Sequence, residues 1–245
     1  MQQNSERCYL VVFDSNDKTL QREVNMEDIG KISLEDIERL GPMEIERRSF
    51  EIITREAGDR IPDDIRSMII KRVIHTSADF EYIDNLCFSE GAVERALEAL
   101  KNGAWIITDT NMALSGINKA SLKKAGGEAH CFIADEDVAA KARELGVTRA
   151  SVCVDKASEL DKPLIYAVGN APTALVRLYE LIQEGKIKPE LIIGVPVGFV
   201  NVVQSKELIM QTDIPYIVAK GRKGGSNVAA CICNALLYLL DGSRG

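Results

Sequence analysis

Leu164-Ile165-Tyr166-Ala167-Val168-Gly169-Asn170-Ala171-Pro172-Thr173 is the stretch that decides the fold. An unbroken apolar run reads as a strand buried on both faces, and Pro172 suits the first position of the helix that follows. Other segments repeat this pattern on either side. Ala104–Thr108, Glu128–Ile133, Leu191–Val195 and Tyr216–Ala219 are short apolar or β-branched runs. Helical patterns lie between them at Glu90–Asn102, Asp135–Leu145, Pro172–Glu184, Ser205–Gln211 and Ser226–Leu240. Strands alternating with helices imply an α/β fold, a three-layer α/β/α sandwich with a mainly parallel central sheet.

Upstream, a helix is expected from Pro42 to Gly58, with Ile45, Ser49, Ile52, Ile53 and Glu56 at helical spacing. Pro62 is expected to open a second helix bearing the stripe Ile65, Met68, Ile69, Arg72, Val73 and Thr76. Residues 1–41 differ in texture. The apolar run Cys8–Phe13, the polar stretch Asp14–Lys31 and the helix signal Ser33-Leu34-Glu35-Asp36 suggest a small hairpin and helix. The expected organisation is therefore an N-terminal extension, 1–41, and a main domain, 42–245.

The chain has 245 residues, 46% hydrophobic and 27% charged, with a net charge of -7, so a broad basic surface for nucleic acid is not expected. Mean hydropathy is -0.05, and no apolar run reaches the roughly 20 residues of a membrane span. The N-terminus lacks the basic start and long apolar stretch of a secretory signal. A cytoplasmic protein is expected. The six cysteines are read as structural thiols, because Cys8, Cys87, Cys131 and Cys153 are isolated and the Cys231/Cys233 pair would diverge on a helix. With only His75 and His130 present, a histidine-based metal centre is not expected.

Parallel sheets bind ligands beyond the carboxyl ends of their strands. Three loops at that edge are rich in glycine: Gly169–Thr173, Gly194–Phe199 and Lys220–Asn227. Such loops serve tight connections, or offer backbone N–H groups to an anion. The last also carries Lys220, Arg222 and Lys223. Phosphate-loop, dinucleotide, nucleophile-elbow and zinc-protease motifs are all missing, and the lysine near Ser226 is misplaced for a phosphate loop.

The richest segment is Lys71-Arg72-Val73-Ile74-His75-Thr76-Ser77-Ala78-Asp79-Phe80. Arg72 and His75, three residues apart, share a helical face and suggest a cavity with one proton donor and a cation. The plainer alternative is a partly buried histidine bonded to a backbone carbonyl, with Arg72 at the surface. His130, in an apolar run, reads as a packed or hydrogen-bonded core residue. Arg48, Arg72 and the Lys220–Lys223 loop together are suited to several carboxylates, which a guanidinium can grip bidentately.

Arg47–Ile53, Arg72–Phe80 and the loops G-N-A-P-T-A-L, G-V-P-V-G-F-V and G-R-K-G-G-S occur in one order. In that order, over roughly Pro42 to Leu240, the chain resembles the precorrin-8X (cobalt-precorrin-8) methylmutases of cobalamin biosynthesis. The resemblance implies an isomerase moving a methyl group from C-11 to C-12 of a corrin precursor, giving hydrogenobyrinate or cobyrinate. It implies His75 as proton donor to the ring nitrogen beside that methyl, and Ser49 and Arg72 as substrate contacts. Together with the cationic and loop readings, the expected binding set is Ser49, Arg72, Arg48, Thr76, Asn170, Ala171, Gly198, Arg222, Gly224, Gly225 and Ser226. Phe80, Met112, Val197 and Phe199 are apolar candidates for the ring face, Met112 being expected in the core. No protein-held cofactor is expected; any cobalt arrives inside the substrate. Expected partners are a carboxylated corrinoid, a second copy in a homodimer and neighbouring enzymes of the pathway. The rival readings are a non-catalytic tetrapyrrole carrier and a nucleotide-binding α/β oxidoreductase.

Overall fold

The computed structural model describes residues 8–13, 19–24, 34 and 37–242. By contacts the chain divides into two compact units, 1–46 and 47–245, the boundary falling inside the first helix. In the first unit, β1 (Cys8–Phe13) and β2 (Thr19–Val24) form an antiparallel hairpin. The helix expected around Ser33–Asp36 lies, apart from Leu34, outside the described residues.

The second unit is built on a six-stranded sheet. Its strands are β3 (Leu86–Phe88), β4 (Trp105–Thr108), β5 (Ala129–His130), β6 (Leu164–Val168), β7 (Leu191–Gly194) and β8 (Tyr216–Ala219), in the order β3-β8-β7-β6-β4-β5. All neighbours run parallel except β3, which pairs antiparallel with β8 at one edge. Each of the five expected strands is present, shortened by up to four residues. β3 was not anticipated; three residues are too few for a periodic signal.

Alternation along β6 divides the core. Ile165 and Ala167 join one apolar cluster, while Leu164, Tyr166 and Val168 join the other. The first cluster takes in α1 (Pro42–Ala57), α2 (Arg66–Ser77), α4 (Ala92–Lys101), α5 (Asn111–Gly116) and α11 (Ser226–Asp241). α8 (Arg149–Ser158), α9 (Pro172–Gln183) and α10 (Val202–Met210) cover the opposite face. α11 is apolar nearly all round and packs against α2, α4 and α5, as a fully enclosed helix must. The remaining helices are α3 (Tyr82–Asn85), α6 (Lys119–Lys124) and α7 (Glu136–Leu145).

The second helix starts later than expected, at Arg66 rather than Pro62. Asp64 determines the start: its carboxylate accepts the Arg66 N–H at 2.8 Å and grips the Arg66 side chain at 2.6 Å. Among the described residues no helix is long and apolar enough to cross a membrane.

Sheet topology selects the place for a site. From β4 the chain moves outward to β5, then returns across β4 to β6 and continues through β7 to β8. The order reverses between β4 and β6. In open α/β sheets the crevice beyond the carboxyl ends of two such strands is the preferred ligand position.

Candidate functional site

One part of the candidate site is made of side chains on helices. Ser49 sits on α1 and His75 in the last turn of α2, and His75 Nδ1 lies 2.8 Å from Ser49 Oγ. α2 ends because Ala78 turns left-handed (φ 54°) and returns its N–H to the Ile74 carbonyl. His75 is exposed, with the Phe50 ring edge-on at 5.7 Å. The Ser49 hydroxyl can accept from a protonated Nδ1 or donate to a bare one, and the bond engages Nδ1 rather than Nε2.

Arg72 shares the helical face of His75 but lies deeper. It is buried, its guanidinium 4.6 Å from the Tyr238 ring centroid and 5.1 Å from that of Phe50. The plainer alternative, with the arginine at the surface and the histidine on a backbone carbonyl, is therefore reversed. Thr76 donates to Cys231 Sγ on α11 at 3.2 Å. Arg48 is half-buried and pairs with Glu51 at 3.6 Å, so the cationic turn of α1 is partly balanced by its own acid.

The other part is made of backbone. The three glycine-rich loops gather at one sheet edge, and the glycines let them touch one another. A Cβ on Gly169 would lie 2.6 Å from Ser226 Cα, and one on Gly224 would run into the Val195 carbonyl oxygen. Gly225 N–H donates to Val195 O at 2.8 Å, and Gly198 N–H to Arg222 O at 3.2 Å. The expectation of free N–H groups for an anion is thus not met at Gly169, Asn170 and Ala171. Those three donate to Asp109 at 2.9, 2.8 and 2.7 Å. Burial pushes the Asp109 carboxyl above its ordinary value, against the pull of the three amides.

Flanking Asp109, Thr108 Oγ donates to Thr110 O and His130 O, while Thr110 Oγ lies 2.8 Å from Ser226 Oγ. On the far side the buried Lys206 amine donates to Gly221 O and Lys223 O, each at 2.8 Å. Desolvation lowers its pKa from 10.5 to about 8.

The two parts are tied together. Lys223 bonds Asp79 at 2.6 Å and Glu81 at 2.9 Å, just beyond α2, and these acids raise its pKa. Burial works to raise the Asp79 carboxyl, but Lys223 and the Glu81 N–H hold it below its ordinary value. Lys223 is therefore committed, whereas Arg222 is exposed and lies 5.4 Å from the exposed Phe199 ring. Among the ring-face candidates, Phe80 packs partly buried against the core, Val197 is exposed, and Met112, expected in the core, is 70% exposed. His130 is half-buried on edge strand β5, paired with Glu128 at 3.1 Å, its ring tilted against Trp105 with centroids 4.5 Å apart.

Sequence reasoning passed over Asp109, Lys206 and Tyr238. Only Asp109 carried a readable signal, since Thr108-Asp109-Thr110 is a polar triplet at the carboxyl end of a buried strand.

The family model described as Precorrin-8X methylmutase matches residues 44–239. A Cobalt-precorrin-8 methylmutase of Salmonella typhimurium is 47% identical over 205 residues, covering 81% of this chain and 96% of that protein. A Precorrin-8X methylmutase of Pseudomonas aeruginosa is 40% identical over 195 residues, covering 78% and 93%. The crystal structure of the precorrin-8x methyl mutase of Thermus thermophilus superposes with a TM-score of 0.74 at 39% identity, over 82% of this chain and 99% of that one. With the fold, the five motifs and these likenesses in agreement, the chain belongs to the precorrin-8X methylmutase family.

Proposed function

We propose that this member of a family of corrin-pathway isomerases moves the methyl group at C-11 of precorrin-8X, or its cobalt form, to C-12, with His75 as proton donor. The product is hydrogenobyrinate or cobyrinate. The single observation that carries the role of His75 is its bond to Ser49, which orients an exposed imidazole through Nδ1 and keeps Nε2 out of that bond. A [1,5]-sigmatropic methyl shift is intramolecular, with no external nucleophile, hydride or phosphate. Protonating or hydrogen-bonding the ring nitrogen beside the migrating methyl makes the macrocycle electron-poor when the methyl moves. One general acid is typically worth 10²–10⁴-fold, roughly, and positioning supplies the rest.

The corrinoid carboxylates meet Arg222 and Arg48 at the rim, and Asn170, Ala171 and Gly224–Ser226 shape the cavity wall. Arg72 acts from beneath, as a buried cation held between Phe50 and Tyr238, close to the His75 turn. Residues 42–245 form the catalytic domain, and no cofactor is needed beyond any cobalt the substrate carries. The enzyme works as a homodimer; Phe199 and Val200, 82% and 78% exposed, support this, since large apolar side chains in solvent mark contact surfaces. It acts in the cytoplasm, where free thiols such as Cys87, Cys131, Cys153, Cys231 and Cys233 persist.

The test is His75→Ala. The variant should still shift the absorption spectrum of added hydrogenobyrinate, while turnover of the precursor falls by about 10²–10⁴-fold. Normal turnover in the variant overturns the proton-donor role. A wild-type protein that binds hydrogenobyrinate without turnover would be a carrier instead.

A further inference from the structure

We propose that Asp109 is a positioning residue of the corrinoid site: its buried carboxylate fixes the Gly169–Ala171 turn and so presents Asn170 to the substrate. This rests on the methylmutase reading and deepens it. Asp109 follows β4 and its three amide partners follow β6, so the contact spans the crevice where strand order reverses. Asp109 is 2% exposed, Gly169 is buried and Asn170 is exposed. Three consecutive N–H groups converge on one carboxylate: Oδ1 accepts from Gly169, and Oδ2 from Asn170 and Ala171. Without that acceptor, inward-facing amides would lose their partners in a dry environment, and the peptides would rotate to regain them.

The consequence reaches beyond the turn. Gly169 packs directly on Ser226, whose hydroxyl contacts Thr110, the residue after Asp109. One short polar triplet at the end of β4 therefore sets the spacing between the Gly169–Ala171 loop and the start of α11. The carboxylate is buried, so it acts by holding the Asn170 backbone rather than by touching the substrate.

Asp109→Asn tests this, because the amide keeps the shape but turns one acceptor into a donor facing an N–H. The substrate KM and the Kd for hydrogenobyrinate should each rise about tenfold, with kcat changed less than about threefold and cooperative unfolding retained. In an Asn170→Ala background the same substitution should change Kd less than about twofold, because the two residues act through one contact. A folded Asp109→Asn with wild-type KM and Kd, or full additivity with Asn170→Ala, overturns the proposal. Should the variant fail to fold, hydrogen exchange on the wild-type chain decides. Extra protection of the Gly169–Ala171 amides on adding hydrogenobyrinate supports the role, and unchanged protection overturns it. A wild-type enzyme that neither binds hydrogenobyrinate nor isomerises would defeat the methylmutase reading itself, a result distinct from these.

Discussion

The His75 corner and the glycine-loop edge use opposite constructions. At the corner, side chains project from helices, Ser49 from the middle of α1 and His75 from the last turn of α2, and an exposed imidazole has a hydroxyl partner. At the edge the glycine-rich backbone itself forms the surface, tied by two buried ionisable side chains, Asp109 and Lys206. Asp109 accepts from three N–H groups, and the Lys206 amine donates to two carbonyls. On the proposed function the difference separates reaction from fit: the corner is expected to keep its shape on losing a side chain, whereas losing a contact at the edge is expected to move a loop.

Gly224→Ala strikes the edge hardest. Its Cβ would meet the Val195 and Pro196 carbonyl oxygens, neither on a flexible side chain, so the loops must separate. Overpacking of this kind costs about 1–3 kcal/mol. Chemical denaturation should register that loss, and hydrogenobyrinate affinity should drop with it. A variant of native stability and affinity would show that the loops are free to slide, and the contrast with the corner would fail.

Ser49→Ala probes the corner more gently. Removing the hydroxyl takes away the partner that orients the ring through Nδ1, so kcat should fall about tenfold while stability changes by less than about 0.5 kcal/mol. Steady-state kinetics beside a melting curve separates the two quantities. If stability falls as much as turnover, the corner is as structural as the edge.

The Lys206 clamp responds to pH. Lys206 has a native pKa of about 8 against an ordinary 10.5. Between those values the unfolded chain holds a proton that the native chain has released, so this group's contribution to stability rises with pH across the window. The neutral amine keeps two hydrogens for its two carbonyl partners, so the clamp survives the proton's departure. The buried thiols of Cys153 and Cys233, pushed up to about 12 by desolvation, act in the opposite sense as pH climbs. Comparison with Lys206→Met isolates the lysine: from pH 8 to 10.5 the wild type should gain Tm relative to the variant, at about 2–4 °C per kcal/mol for a chain of this size. Parallel curves would mean that Lys206 titrates normally.

Much of this was legible in the residues. The five expected strands, the three loops at one edge and the histidine segment were all in view, because each is a local pattern of apolar runs or turn residues. α8, Arg-Ala-Ser-Val-Cys-Val-Asp-Lys-Ala-Ser, escaped because its β-branched residues alternate with polar ones and mask the helical period. β3 was too short, and the start of α2 depended on how Asp64 folds back.

The sequence by itself determined the layered α/β architecture and the family, through periodicities and motifs that need only neighbouring residues. It also put His75 and Arg72 on one helical face. Only the tertiary structure decided that Arg72 is buried between Phe50 and Tyr238 while His75 faces out on Ser49, because depth depends on how α1, α2 and α11 pack. It alone showed that the glycines serve loop-to-loop contact and that Asp109 occupies the amides expected to be open to an anion. Those partners lie 60 to 62 residues apart in the chain, and a carboxylate finds such donors only when two strands bring their ends together.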